Sequence, residues 1–248
     1  MRAGRNNTPW WLVESGAARA HADTLVISDV HLGLRSSRPR SLLETLRGWH
    51  CRRLVLLGDI LHEDFRGLCA DGWAFLHYVR HQAASGVEVV WLHGNHDRHL
   101  APEIVRFLGV EPRERYDWTL AGCRYTAVHG DAFDRFIAGN ERVARWVSRL
   151  YTFCQHRLSS EGRWPGLLDR WHSQLLGLHE KVAAGAAALA RQHGRDVILC
   201  GHTHQPLERR FAAPGERAVT YVNAGSWVER PASFLSIDAQ AVRINHCP

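Results

Sequence analysis

Short apolar runs, each followed at once by a polar cluster, recur along the chain. Runs of this kind, bounded by turn residues, predict strands that are covered on both faces. The strands are predicted at residues 25–27, 54–57, 87–92, 125–128 and 197–200. Each run leads into a cluster of Asp, His or Asn side chains, so these clusters are expected where the strands end.

Helical patterns lie between several of the predicted strands. The two clearest are residues 38–50 and 71–83, where apolar side chains recur at helical spacing. Alternation of strands and helices predicts an α/β fold with helices on the faces of a sheet. Ligands in such folds bind beyond the carboxyl ends of the strands, where every polar cluster falls. The pattern therefore predicts one shared site.

The pattern changes between residues 132 and 196, where the spacing of apolar residues is helical. Short apolar runs return at 221–222 and 234–235 and predict closing strands. We therefore predict a single domain spanning residues 1–248, with a helical insertion or cap at about 132–196.

Composition narrows the class of protein. The chain has 248 residues, of which 45% are hydrophobic and 23% charged, as in ordinary globular domains. No apolar run reaches the roughly 18 to 20 residues of a membrane span, and the first residues do not form a secretory signal. The six cysteines form no CxxC pair. These features predict a cytoplasmic protein with reduced thiols.

The formal net charge of +6 favours anionic partners, which include phosphate groups, nucleic acid and acidic lipid surfaces. No block of like charges marks a nucleic-acid-binding tail. Charge therefore selects a class of partner without choosing among its members.

The polar clusters contain the donors that divalent cations prefer: carboxylate, amide oxygen and imidazole. Two cations about 3.5 to 4 Å apart also need a bridging ligand, a role that suits a carboxylate. The spacings D-x-H and H-x-H are expected to place both side chains on one side of an extended segment. The candidate ligands are Asp29, His31, Asp59, Asn95, His129, His202 and His204.

The motifs D-x-H, G-D, G-N-H-D, H-G-D and G-H-T-H, in this order from residue 29 to 204, resemble those of calcineurin-like metallophosphoesterases. The resemblance implies a four-layer αββα sandwich and two divalent cations, often Mn²⁺, that activate water to attack phosphorus. It implies that His96 lies near the leaving group, with Asp97 fixing its orientation. The first cation would be held by Asp29, His31, Asp59 and His204, and the second by Asp59, Asn95, His129 and His202.

A finer resemblance is to the UDP-2,3-diacylglucosamine pyrophosphatase group of lipid A synthesis. It rests on S-D-V-H-L-G at 28–33, H-G-D-A-F-D at 129–134, the helical insertion and N-A-G-S-W-V-E at 223–229. This group releases UMP from a nucleotide-linked lipid at the inner membrane face, so the resemblance implies peripheral membrane contact. It also suggests Arg35 and Asn223 as substrate contacts.

The insertion adds candidate substrate contacts. Arg142, Arg145 and Arg149 recur at helical spacing beside an apolar face, which could hold acyl chains while the arginines meet phosphate groups. The alternative is an ordinary helical hairpin whose arginines are solvated. Three features depart from the finer resemblance: His93, the segment 61–64 after the G-D motif, and the opening Trp10–Trp11 pair.

Three hypotheses therefore stand. The first is a nucleotide-lipid pyrophosphatase, and the second is a nuclease or nucleotide phosphodiesterase with the same metal site. The absence of an aromatic and basic stacking motif disfavours single-stranded nucleic acid. The third is a non-catalytic binding module, which is disfavoured because no ligand position is substituted. No protein partner is inferred.

Overall fold

The computed structural model describes residues 9–11, 18–133 and 165–248. Four helices are described: α1 Pro39–Arg47, α2 Ala70–Ala84, α3 Ala101–Leu108 and α4 Pro165–Gln192. The ten described strands are β1 Ala20–Ile27, β2 Trp49–Leu57, β3 Glu88–Leu92, β4 Tyr116–Leu120, β5 Cys123–Ala127, β6 Val197–Cys200, β7 Leu207–Phe211, β8 Val219–Asn223, β9 Ala232–Ile237 and β10 Val242–Cys247.

The strands form two five-stranded mixed sheets. The first has the order β10-β9-β1-β2-β3, and the second has the order β4-β5-β6-β8-β7. Strands β1, β2 and β3 run parallel, as do β5, β6 and β8. The remaining pairings are antiparallel. Each sheet thus brings the carboxyl ends of three parallel strands to one rim.

Alternate side chains of each sheet enter different layers of the core, as the two-residue period of a strand requires. Leu25 and Ile27 of β1 face the layer of α1, α2 and α3, whereas Val26 faces the second sheet. Leu199 of β6 faces the first sheet, and Ile198 packs with the alanines of α4. The order of layers is helix, sheet, sheet, helix, which confirms the predicted four-layer sandwich.

The predicted strands and the helices at 38–50 and 71–83 are all confirmed, and among these strands β3 lies at a sheet edge. The sequence prediction missed β4, β7, β10 and the short helix α3. The three missed strands each lie at the edge of a sheet. An edge strand has a solvated side, so its residues alternate or carry charge, as in the L-E-R-R-F sequence of β7.

The opening tryptophan pair has a packing role. Trp10 and Trp11 lie against the outer core of the first sheet. The guanidinium groups of Arg40 and Arg47 stand 5.2 and 5.7 Å from the centre of the Trp10 ring, a cation–π distance. The ring of Trp11 contacts His81 of α2 edge-on. This pair therefore covers the first helical layer.

The described part of the predicted insertion is helical. Its described residues are 132–133, which are helical, then α4 and the short turn between α4 and β6. The predicted boundaries at about 132–196, and the single domain over 1–248, stay predictions. Among the described helices, none combines the length and apolarity that crossing a membrane requires.

Candidate metal centre

Five of the candidate ligands adopt a backbone conformation that side chains rarely take. Six non-glycine residues in the described chain have positive φ, and all but Ala121 are candidate ligands. Their φ values lie between 48° and 67°, in the left-handed region. The five are Asp29, His31, Asp59, His202 and His204. Such strained residues cluster at functional sites, where the surrounding fold holds them in place.

The first group of donors combines the loop after β1 and the loop after β6. Oδ1 of Asp29 lies 3.2 Å from Nε2 of His204 and 3.9 Å from Nε2 of His31. The two imidazole nitrogens are 3.3 Å apart. Donors about 2.1 Å from a shared cation stand roughly 3.0 to 3.5 Å apart, so two sides of this triangle match a cation site and the side from Asp29 to His31 is longer.

The second group is formed by Asp59, His129 and His202, whose donor atoms lie within 4.8 Å of one another. Oδ2 of Asp59 lies 3.3 Å from Nε2 of His129. The same oxygen is 3.9 Å from Nε2 of His31, which belongs to the first group. Asp59 therefore faces both groups, as a bridging carboxylate must.

Three glycines allow the loops that carry the candidate ligands to pack closely against one another. A Cβ atom on Gly201 would lie 1.8 Å from Oγ of Ser28, and one on Gly94 would lie 2.0 Å from Oδ1 of Asp59. A Cβ on Gly58 would lie 2.4 Å from Nδ1 of His129. None of these spaces could hold a side chain, so the carboxylates and imidazoles pack directly against backbone.

The carboxylates of the centre are held ionised. Burial opposes the charge of Asp29, but the imidazoles of His204 and His129 outweigh it and lower its pKa to about 2. Burial likewise opposes the charge of Asp59, and His129 again lowers the pKa below its ordinary value. Both carboxylates are therefore available to bind cations over the physiological pH range.

The imidazoles differ among themselves. Burial opposes the charged form of His129, but Asp59 and Asp29 raise its pKa to about 10. Burial acts in the same way on His204, whose pKa Asp29 and Glu229 raise to about 10. Burial dominates at His31 and lowers its pKa to about 3 in spite of the nearby carboxylates. Without cations, protons on His129 and His204 balance the buried negative charge.

The donor set fits divalent cations. Nδ1 of His129 lies 2.9 Å from the carbonyl oxygen of Leu57 and donates to it. When the ring is neutral, its only hydrogen is on Nδ1, so the lone pair is on Nε2, which faces Asp59. Within the described chain, Nε2 of His129 and Oδ1 of Asp29 are buried atoms without a hydrogen-bond partner. A cation among these atoms would satisfy them all, because buried polar atoms require partners.

Cation binding is expected to release protons. A ligating nitrogen must be unprotonated, and His129 and His204 have pKa values of about 10 in the cation-free protein. At pH 8, saturation with Mn²⁺ should release about two protons per chain, one from each of these rings. Apparent affinity should rise with pH and level off above about 10. Isothermal titration calorimetry in buffers of different ionisation enthalpy measures this release, and buffer-independent heats would contradict it.

His96 stands beside the two groups on the loop after β3. Its backbone N–H donates to Oδ1 of Asp59 at 2.8 Å, and its ring meets that of His31 edge-on with centroids 4.9 Å apart. Nδ1 of His96 lies 3.1 Å from the carbonyl oxygen of His62, and the orienting role of Asp97 stays a prediction. Asn95 precedes His96 and is exposed.

Asp97 is buried beneath this loop. Its two carboxylate oxygens accept the backbone N–H groups of Gly94 and Ile60, each at 2.9 Å. Burial and the charge of Asp59 raise its pKa to about 6. Asp97 thus ties the loop that carries His96 to the loop that carries Asp59.

The residues suggested as substrate contacts have different positions. Arg35 is exposed in the turn before α1. Asn223 is fully buried, and its amide donates to the carbonyl of Gly201 at 2.6 Å and to Oγ1 of Thr203 at 3.1 Å. These bonds turn Asn223 towards the loop of His202 and His204, and its role as a substrate contact stays a prediction. Three further suggestions lie outside the described residues: Arg142, Arg145 and Arg149.

The sequence prediction overlooked three residues that touch the candidate ligands. Ser28 donates its hydroxyl to Asp29, and Glu229 lies 3.5 Å from Nδ1 of His204. His62 lies with its Nδ1 3.4 Å from Nδ1 of His31. Spacing gave no signal for Glu229, because its contact joins distant segments. His62 belongs to the segment 61–64, which was noted only as a departure from the finer resemblance.

Comparison with known proteins gives a consistent picture. A family model described as calcineurin-like phosphoesterase matches residues 23–206. A UDP-2,3-diacylglucosamine hydrolase of Xanthomonas campestris is 29% identical over 247 residues, covering 89% of this chain and 97% of its own. One from Aeromonas salmonicida is 26% identical over 236 residues, covering 84% and 87%. The structure of an archaeal phosphodiesterase aligns at 12% identity over 90% of this chain and 98% of its own, with a TM-score of 0.49.

Proposed function

Because this chain belongs to the calcineurin-like phosphoesterase family, and is therefore a metal-dependent hydrolase of phosphate esters or anhydrides, we propose that it uses two divalent cations, Mn²⁺ in our assignment, to cleave the pyrophosphate bond of a nucleotide-linked lipid. The observation that carries the two-cation assignment is the position of Asp59. Its Oδ2 atom faces His129 on one side and His31 on the other. One carboxylate between two donor groups suits a pair of cations.

We assign the ligands accordingly. The donors of the first group together with Asp59 would hold the first cation, and the donors of the second group together with Asn95 would hold the second. When bound, two divalent cations lower the pKa of water and neutralise charge on the phosphoryl oxygens. The complete assignment comprises Asp29, His31, Asp59 and His204, then Asp59, Asn95, His129 and His202.

The side chains of this protein then have separate tasks. The buried carboxylates stay ionised and fix the spacing of the centre. The carbonyl of His62 can only accept, so His96 donates its Nδ1–H there and keeps Nε2 for the substrate. His96, when protonated at Nε2, donates that proton to the departing oxygen.

The choice of substrate rests on relatives and on charge. Proteins named UDP-2,3-diacylglucosamine hydrolase match most of this chain at 25–29% identity. The net charge of +6 suits a substrate with phosphate groups. A lipid-linked substrate also requires contact with a membrane surface, so we assign the protein to the cytoplasmic face of the inner membrane.

The proposed substrate is tested by assaying three compounds with the same purified protein. Purified protein with Mn²⁺ is expected to hydrolyse bis(p-nitrophenyl) phosphate, to lose this activity when EDTA removes the metal, and to regain it with added Mn²⁺. UDP-2,3-diacylglucosamine and single-stranded DNA are then assayed side by side. Release of UMP from the lipid, without cleavage of DNA, is the expected result.

Other outcomes separate the alternatives. Cleavage of DNA alone would eliminate the lipid substrate and support the nuclease hypothesis. Failure to hydrolyse any of the three compounds with Mn²⁺ would favour the non-catalytic module.

A further inference from the structure

Three imidazoles of the metal centre share one arrangement. In His31, His129 and His204, one ring nitrogen faces the carboxylates and the other faces a partner outside the donor groups. Nδ1 of His129 lies 2.9 Å from the carbonyl oxygen of Leu57, and Nδ1 of His204 lies 3.5 Å from Oε1 of Glu229. Histidines that bind metals usually donate their second N–H to such an acceptor, which fixes the orientation of the ring.

His31 follows the same arrangement with an unusual partner. Its Nε2 faces Asp29 and Asp59, each at 3.9 Å. Its Nδ1 lies 3.4 Å from Nδ1 of His62, a half-buried residue in the loop after β2. Here an imidazole occupies the place that a carbonyl or a carboxylate occupies beside the other two rings.

The roles of these nitrogens follow from the chemistry of imidazole. A neutral ring carries hydrogen on one nitrogen and a lone pair on the other. If Nε2 of His31 gives its lone pair to a cation, its hydrogen is on Nδ1, so Nδ1 of His62 must accept. The hydrogen of neutral His62 then lies on its Nε2.

His62 also contacts His96. Its carbonyl oxygen lies 3.1 Å from Nδ1 of His96, and the two rings stack with centroids 4.8 Å apart and planes 26° from parallel. One residue thus contacts both a candidate ligand and the candidate acid.

We propose that His62 is a positioning residue whose Nδ1 accepts the hydrogen bond of His31 and thereby sets the affinity of the first cation site. This inference rests on the proposed two-cation function. Its ring also supports His96 by stacking, and this second contact does not depend on an accepting nitrogen.

A third cation among His31, His62 and His96 is a competing interpretation, because their donor atoms lie within 4.8 Å of one another. It would require both nitrogens of His31 to bind cations, so the ring would lose both hydrogens. A hydrogen bond between the rings needs no such loss and is the interpretation that we adopt.

Three variants separate the accepting nitrogen from the ring. His62→Phe keeps a stacking ring and removes the acceptor. His62→Asn removes the ring and offers an amide oxygen near the position of Nδ1. His77→Phe is the matched control, since the ring of His77 contacts Trp73 and Phe107 away from the metal centre.

The measurement is calorimetric titration of the cation-free full-length proteins with Mn²⁺, with thermal unfolding to verify folding. The wild type should bind two ions, and His77→Phe should bind two ions with the same affinities as the wild type. His62→Phe should bind one of the two about 10- to 100-fold more weakly. His62→Asn should restore most of that affinity.

Wild-type affinities in His62→Phe would overturn the proposal. Equally weak Mn²⁺ binding by His62→Asn and His62→Phe would also overturn it, because an acceptor at this position would then fail to restore the affinity. A third Mn²⁺ in the wild type, lost in both variants, would replace it with the three-cation interpretation. Failure of the wild type to bind two ions would instead refute the proposed function on which the inference rests.

Discussion

Changing Asp59 to alanine is expected to abolish hydrolysis and to remove bound Mn²⁺. Oδ2 of Asp59 faces both donor groups, so its loss weakens both cation sites. Cations contribute several kcal/mol of transition-state stabilisation, and each 1.36 kcal/mol is a factor of ten in rate. The rate on bis(p-nitrophenyl) phosphate should fall by at least about 10³-fold. Metal analysis after dialysis should show the parallel loss of Mn²⁺.

Two further variants separate chemistry from folding. Oδ1 of Asp59 accepts the backbone N–H of His96, so alanine also frees this loop. Asp59→Asn keeps an acceptor there without the negative charge, and it should lose Mn²⁺ while its fold is retained. Asp64→Asn makes the same change at a half-exposed position of the same loop and should have no effect. Full activity in Asp59→Ala would show that the assignment is wrong.

Changing His96 to alanine should lower kcat by about 10²- to 10⁴-fold while both Mn²⁺ ions stay bound. The contact of His96 with Asp59 is made by its backbone N–H, which alanine keeps. The ring is therefore removed without removing the support of the bridging carboxylate. Steady-state kinetics and metal analysis of the same preparation measure the two quantities.

The leaving group identifies the role of the His96 ring. An alkoxide needs a proton to depart far more than p-nitrophenolate does. If His96 supplies that proton, the loss of rate should be larger for an alkyl ester than for a p-nitrophenyl ester. His99→Ala, a change at an exposed residue of the next turn, should leave both rates unaltered. Equal losses on both esters would assign His96 to binding of the phosphoryl group.

Most of the fold could be predicted because its central strands are buried on both faces. Continuous apolar runs such as 54–57 stand out in the sequence, and the helices between them have clear periodicity. Strands β4, β7 and β10 were missed because each is an edge strand with a half-exposed or charged pattern. Each of the three pairs with the strand next to it in the sequence, so it was their mixed composition that hid them.

Six of the candidate ligands lie close together in two groups, and their roles stay predictions. The D-x-H spacing was expected to align two side chains by strand alternation, and that reason is wrong. Strand β1 ends at Ile27, and Asp29 and His31 have φ values of 50° and 48°. They converge because the chain coils tightly after the strand, a conformation that no spacing rule anticipates.

Contacts across the fold were beyond the reach of the sequence. Asn223 is a predicted substrate contact, and its amide bonds join it to the loop of His202 and His204. Asp97 is predicted to orient His96, and its carboxylate accepts the backbone N–H groups of Ile60 and Gly94. Spacing did not reveal these bonds, and both assignments stay predictions.

The left-handed backbone at five candidate ligands restricts how the centre can be altered. Asn, Asp and His tolerate this conformation better than other side chains, and β-branched residues tolerate it least. Few residue types are therefore available at these positions for changing the ion preference of the centre. Aspartate, asparagine and histidine can be exchanged there with the chain path preserved, whereas threonine would have to distort it. The backbone conformation and the coordination chemistry thus together limit which residues can serve as ligands in this centre.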